Sequence, residues 1–349
     1  MDVFLTVFII ALFLTYIFTP IVKKVAYLLG TFDKPNNRRI NTKPIPNIGG
    51  LAIFAGFIIT VLLFADSGKI LTGLITGGSF IFLLGIIDDI YELAPWIKLL
   101  GQIIAAGILI SFGIKIEFIT NPFGGMIYLG YWGIPLSLIW IVGITNTVNL
   151  IDGLDGLAAG ITVIAVTTLF FVSLQEGQSS VAIFAIALAG SSLGFLRFNF
   201  HPAEIFMGDS GAMFSGYVMA AISVAGALKS AAAVTLIVPL LALGVPIFDT
   251  LFAIIRRVYH RKPISKADNG HIHHRLLALG WSQTRAVLSV YAISVFLGIM
   301  ALVVNGSDFQ SGIVLLFIAF AVVVYGAWKI GVFSVDIPTE GRALEKSNL

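Results

Sequence analysis

The chain has 349 residues, 58% hydrophobic and only 11% charged, with a mean hydropathy of +1.00. Soluble globular domains carry roughly 25% charged residues, so the composition excludes a soluble fold and calls for a membrane-embedded one. A formal charge of +3 with no soluble basic domain excludes a nucleic-acid binder, and the lack of cysteine excludes disulfides and thiolate metal sites.

Eleven apolar segments, mostly at or near the length of a membrane-crossing helix, fall at about 3–22, 48–65, 71–87, 97–114, 133–150, 158–174, 180–196, 210–227, 231–254, 285–304 and 311–328. The first follows an acid rather than a basic n-region and runs into IVKK instead of a small-residue cleavage site, so it reads as a retained span and not a signal peptide. Residues 115–132, KIEFITNPFGGMIYLGYW, alternate around Asn-Pro and Gly-Gly and predict a small hairpin on the outer side. The expected fold is therefore an all-α polytopic membrane protein of about 11 transmembrane helices. It forms a single transmembrane catalytic domain over 1–330, followed by a cytoplasmic tail at 331–349.

Placing the N-terminus outside and the C-terminus in the cytoplasm gathers Lys23, Lys24, Lys34, Arg38, Arg39, Lys43, Arg256, Arg257, Arg261, Lys262, Lys266 and Arg275 in the inner loops. Only Lys69, Lys115 and Lys229 are left in the intervening outer ones. The positive-inside rule selects that orientation. The polar motifs then converge on the cytoplasmic face, whereas a channel or transporter places ionisable groups near mid-membrane.

Taken in chain order, the first inner loop (30–50) carries Lys34, Arg38, Arg39 and Lys43 between prolines, a stiff basic stretch suited to a lipid phosphate or to anionic lipid in general. Asp88 and Asp89 follow the third apolar segment directly. Such acids cap helices, but two adjacent carboxylates repel unless a cation shares them. In NTVNLIDGLDGLAAG, Asn149, Asp152 and Asp155 recur at spacings of three, one face of a helix. These oxygen ligands suit a hard cation such as Mg²⁺, and helix capping is the simpler alternative. MGDSGA puts Asp209 at a helix start, where a carboxylate caps and where backbone N–H groups hold phosphate. HIHHR clusters His271, His273, His274 and Arg275, which reads better as an anion-binding group for sugar or diphosphate than as a zinc site. His201 and His260 stand alone and receive no role.

FDKPNNRRINTKPIPNIGG, GIIDDIYELAP, NLIDGLDGLAAG, MGDSGA and HIHHR, in this order between apolar spans, resemble the polyprenyl-phosphate N-acetylhexosamine-1-phosphate transferase family. The resemblance runs from Asp33 to about Arg275, with Asn41 and Asn47 departing from the family's first-loop histidine and basic residue. It implies an integral membrane enzyme, often a homodimer, that needs Mg²⁺ or Mn²⁺ and transfers a sugar 1-phosphate from a UDP-sugar to a polyprenyl phosphate, releasing UMP. It further implies Asp88 and Asp89 as paired acids for acceptor activation, Asn149, Asp152 and Asp155 as a nucleotide-binding and metal-proximal segment, Asp209 as a metal ligand, and His271, His273 and His274 near the diphosphate and sugar.

HIHHRLLALG looks like the N-acetylglucosamine branch of that family. The expected reaction therefore joins UDP-N-acetylglucosamine to undecaprenyl phosphate at the cytoplasmic face of the plasma membrane, for an envelope glycan. The alternatives are a phospho-N-acetylmuramoyl-pentapeptide transferase and, from a different class, a lipid or nucleotide-sugar transporter.

Overall fold

The computed structural model describes residues 2–33, 44–121, 125–227, 237–259, 261 and 270–331. Thirteen helices run in chain order through them: α1 (Asp2–Leu29), α2 (Gly50–Phe64), α3 (Lys69–Tyr91), α4 (Pro95–Ser111), α5 (Gly133–Ile151), α6 (Leu157–Gln175), α7 (Ser179–Asn199), α8 (Gly208–Ala227), α9 (Ile237–Ala242), α10 (Gly244–Tyr259), α11 (Ile272–Ala278), α12 (Gln283–Asn305) and α13 (Phe309–Lys329). Two short antiparallel ladders interrupt them, β1 (Phe32–Asp33) with β2 (Ile45–Pro46), and β3 (Phe118–Thr120) with β4 (Met126–Tyr128). The second ladder is the expected hairpin, and exposed Tyr128, Tyr131 and Trp132 give it an aromatic rim.

Of the expected fold with about 11 transmembrane helices, the structure shows the coarser form, an all-α membrane protein with several long apolar helices. Seven of the described helices are long and apolar enough to cross a membrane: α1, α3, α5 with its preceding 3-10 turn, α6, α7, α12 and α13. Helices α2 and α4 are apolar but only 15 and 17 residues long. Helix α8 opens on Asp209 and carries buried serines along its length. The segment expected at 231–254 is broken where it is described: Pro239 lies inside α9 and Pro246 in the first turn of α10, and each removes a backbone donor.

Helices α6, α7 and α8 form the interior. In α7, 72% of the most apolar stretch is buried, against 17% in α13. Small residues allow this packing. Gly190 and Gly194, a G-x-x-x-G pair on α7, lie against the backbone of Phe8 and Leu12 on α1, the close approach that replaces hydrophobic driving force between membrane helices. Helix α8 packs between α3 and α5, which brings its N-terminus to the ends of both.

Candidate active site

Asp88 and Asp89 lie within the last turn of α3 rather than in the loop after it, and their side chains go to different partners. Asp89 accepts from the backbone N–H of Asp209 at 2.7 Å and of Ser210 at 3.1 Å, so it caps α8 from a neighbouring helix. Asn47 reaches the same carboxylate at 3.5 Å. The approach requires Gly208, whose φ is +72° and where a Cβ would lie 2.8 Å from the Asp89 carboxylate. One turn back on α3, a Cβ at Gly85 would collide with the Ser210 backbone.

Asp88, 2% exposed, accepts from the Leu93 N–H at 2.8 Å and pairs with Lys98. The same ammonium lies 2.7 Å from Asp209 Oδ2, and Asn149 donates to Asp209 Oδ1 at 3.1 Å. The cation that separates the acids is therefore a lysine of α4, shared by Asp88 and Asp209 and not by Asp88 and Asp89. One turn deeper, Gln102 and Asn146 exchange amide hydrogen bonds of 3.1 and 2.5 Å, locking α4 to α5 below Lys98 and Asn149.

The helical spacing of Asn149, Asp152 and Asp155 ends at Ile151, where α5 stops. Asp152 lines a cleft, and burial, then the charges of Asp209 and Asp155, push its carboxyl up to about 7. Asp155 instead accepts from the Ala203 N–H at 3.1 Å and pairs with His201 Nδ1 at 2.7 Å. Asn199 ties the two loops together, accepting from the Gly156 N–H at 3.1 Å and donating to the Ile205 carbonyl at 3.0 Å. Lys23 holds the far wall through Glu204 at 2.7 Å, and that hydrogen bond keeps the Glu204 carboxyl below its ordinary range.

The histidine segment forms α11, with His271 at its N-cap. His273 is 3% exposed and its Nε2 faces Gly153, where a Cβ would stand 2.6 Å away. Burial, then the neighbouring His274, lowers its pKa to about 3. His274 reaches the cleft. Arg275, expected to grip a sugar phosphate, is 1% exposed and turns inward: Nε donates to the Gly270 carbonyl at 3.1 Å and Nη1 to that of Gly331. It fastens α11 to the end of α13.

These elements enclose a cleft of about 830 Å³ lined by Asp152, Asp155, Asp209, His201, His274 and Lys23 among others. Asp88 and Asp89 stand behind it, and of the expected anion-binding residues Lys34, Arg38 and Arg39 lie outside the described residues. Among the described residues no three histidines, cysteines or acids gather to hold a metal alone. The donor set still fits a hard dication: Asp209 and Asp152 offer carboxylate oxygens to the cleft, the Lys98 ammonium between Asp88 and Asp209 marks a position that attracts positive charge, and Mg²⁺ commonly takes one or two carboxylates and completes its shell with water and substrate phosphate.

Sequence reading missed Lys98, His201 and Asp249. Lys98 had a signal: it is the one charged residue in an otherwise apolar 97–114 segment, and such a residue is costly there unless paired.

A family model described as Glycosyl transferase family 4 matches residues 71–227, which contain the acid cluster. A probable undecaprenyl-phosphate N-acetylglucosaminyl 1-phosphate transferase of Bacillus subtilis (strain 168) is 44% identical over 313 residues, covering 89% of this chain and 87% of the relative. A decaprenyl-phosphate N-acetylglucosaminephosphotransferase of Mycolicibacterium smegmatis is 36% identical, with 83% and 79% covered. A phospho-N-acetylmuramoyl-pentapeptide-transferase of Clostridium perfringens is 32% identical, with 82% and 90% covered. With this likeness running through the elements that build the cleft, the chain belongs to the polyprenyl-phosphate sugar-1-phosphate transferase family and is a membrane phosphotransferase.

Proposed function

We propose that the protein transfers N-acetylglucosamine 1-phosphate from UDP-N-acetylglucosamine to undecaprenyl phosphate, releasing UMP, as the first membrane step of an envelope glycan pathway. The observation that carries the reading is the meeting of Asp209, Lys98, Asp88 and Asn149 at the N-terminus of α8, on the wall of a cleft large enough for a nucleotide sugar. The sugar and lipid follow the relatives: identity to the B. subtilis N-acetylglucosaminyl transferase is 44%, against 32% to the muramoyl-pentapeptide transferase.

In the reaction, an oxygen of the lipid phosphate attacks the sugar-bearing phosphorus, a new P–O bond forms, and the bond to the bridging oxygen breaks toward UMP. The second pKa of a phosphate monoester lies near 6, so the acceptor is largely dianionic at neutral pH and needs orientation more than a strong base. Lys98 supplies positive charge beside the phosphates, the Asp209 and Ser210 N–H groups at the start of α8 being taken up by Asp89. Asp88 acts through Lys98, and Asp89 through the cap it places on α8. Asp209 and Asp152 would hold Mg²⁺ or Mn²⁺, which when bound offsets diphosphate charge and stabilises departing UMP. Asn149 orients Asp209, Asp155 braces the loop at His201, and His274 borders the sugar side of the cleft. Lys34, Arg38 and Arg39 remain assigned to the lipid phosphate.

With α2, α4, α8 and the broken α9–α10 pair counted as crossings, the chain passes eleven times through the plasma membrane, N-terminus outside and cleft facing the cytoplasm, as the lysine and arginine distribution favours. Residues 1–330 form the catalytic domain and 331–349 a cytoplasmic tail, and a homodimer is the expected assembly. Cysteine placed at Ser282 should resist an impermeant thiol reagent in intact cells while one at Ser67 or Ser179 is labelled; the reverse pattern inverts the topology.

The chemistry is tested by offering purified protein undecaprenyl phosphate with UDP-N-acetylglucosamine, UDP-N-acetylgalactosamine and UDP-N-acetylmuramoyl pentapeptide at equal concentration, and resolving UMP and lipid products by mass. A lipid-linked N-acetylglucosamine diphosphate should dominate. A dominant muramoyl pentapeptide product overturns the branch, and no UMP from any donor overturns the reaction.

A further inference from the structure

Asp249 lies in α10 with 3% of its surface exposed, in a stretch whose sequence reads only as an apolar span. A carboxylate in such a place is costly unless fully partnered. Its partners are all in the histidine segment. Oδ2 is 2.8 Å from His271 Nδ1, and Oδ1 accepts from the Ile272 N–H at 2.8 Å, the first free donor of α11. Helix α11 is too short to hold itself, so its start depends on this carboxylate. Two turns along α10, Arg256 packs against Gly270, the residue before His271, leaving no room for a Cβ there. One face of α10 therefore seats residues 270–272 at two points.

What that seat fixes lies further along α11. His271 and His273 stack with ring centroids 5.7 Å apart and planes 6° from parallel. His273 in turn presses Nε2 onto Gly153, the residue between cleft-lining Asp152 and Leu154. His274 follows into the cleft. A path of direct contacts thus leads from Asp249, which does not line the cleft, to the Asp152 turn and to His274.

We propose that Asp249 is the positioning residue of the histidine segment: it sets the tautomer and angle of His271 and the first turn of α11, and so the register of His273 on Gly153 and of His274 in the cleft. The proposal rests on the transferase reading for its kinetic consequence but not for its structural one. A carboxylate that orients a functional histidine is typically worth about 10–100-fold in activity, and a displacement of His274 of about 1 Å would have an effect of that order.

The test uses full-length protein in detergent, with Asp249→Ala, Asp249→Asn, His271→Ala and the Asp249→Ala/His271→Ala double variant. Asp249→Ala should lower kcat for UMP release about 10–100-fold, Asp249→Asn should lose less because one acceptor oxygen remains, and the double variant should be no worse than Asp249→Ala alone. Independently of turnover, carbethoxylation mapped by mass spectrometry should find His271 and His273 protected and His274 reactive in the wild type, with all three reactive in Asp249→Ala. If Asp249→Ala does not fold, the same two readouts on Asp249→Asn decide. Wild-type kcat together with an unchanged carbethoxylation pattern overturns the proposal, as does a full multiplication of the two single losses in the double variant. Wild-type protein that releases no UMP, with the histidine pattern still changing as stated, overturns the transferase reading and leaves the positioning role standing.

Discussion

At the α8 end of the cleft, charge is set against charge: Lys98 lies between Asp88 and Asp209, Asp89 sits on backbone N–H groups, and the side chains come from four helices, α3, α4, α5 and α8. At the α11 end, a short helix is held from behind by Asp249 and Arg275, and it meets the rest of the site through His273 against Gly153 and His274 in the cleft. In the proposed reaction the first end would bear the charge of the reacting phosphates, and the second would hold a shape. Damage to the first should therefore abolish chemistry, whereas damage to the second should degrade it and appear also in stability.

The largest effect is expected from Asp209→Asn. It removes the acid shared by Lys98 and Asn149, and turnover in folded, detergent-purified protein should fall about a thousandfold, the upper range for losing one preorganised electrostatic group. Excess chelator should silence the wild type to a similar degree; full activity in chelator would defeat the metal assignment. Lys98→Ala comes next. Removing one partner of a buried pair costs roughly 3 kcal/mol or more, so both thermal stability and kcat should drop, kcat by about a hundredfold, with partial recovery in Lys98→Arg. A variant with normal kcat would show that the lysine is only structural.

At the histidine end, Gly153→Ala forces a methyl to 2.6 Å from His273 Nε2. Overpacking of this kind costs about 1–3 kcal/mol, and we expect about a tenfold loss of kcat/KM with a lowered melting temperature. An unchanged melting temperature would show that α11 shifts freely and that the contact carries no register.

The smallest effect is a pH dependence of stability. His273 stays neutral in the fold because burial takes its pKa to about 3, whereas the unfolded chain binds that proton below about 6.5. The unfolded state therefore holds more protons as pH falls from about 7. The stability due to His273 is complete above that pH and declines by about 1 kcal/mol by roughly pH 5.5. Melting curves of wild type and His273→Gln should converge toward pH 5.5 and separate at pH 7.5; parallel curves would place the ring in water.

Much of the fold was legible because apolar runs and charged loops are properties of composition, and eleven such runs correspond to helical segments of the chain. Their depth was not legible. Hydropathy cannot see that Pro239 and Pro246 break a run, or that α3 carries Asp88 and Asp89 within its last turn. Within the site, the Asp209 and Asp152 positions could be read from glycine-flanked acids at helix ends. Lys98 could be singled out only as a lone charge in an apolar run, and neither its partner nor that of Asp249 could be read, since they lie 111 and 22 residues away and only the fold brings Lys98 to Asp209 and Asp249 to His271. The carbonyl partners of Arg275 were not legible for a related reason: a guanidinium serves carbonyls as readily as phosphates, and the direction of the side chain decides which.

Gly50 and Gly85 each meet the start of α8 backbone to backbone, at Gly211 and Ser210. Three helices are thus joined at a seam where backbone meets backbone, with Ser210 Oγ and the Met207 side chain filling its edge. Such a backbone-to-backbone seam leaves little room for the acid end to adjust as substrates arrive. The other rim of the cleft is different: α11 meets it through side chains, His274 in the cleft and His273 on Gly153. In a library of random substitutions, positions 50, 85 and 211 should tolerate almost no change, while the rim around α11, held by side chains that can repack, should accept more.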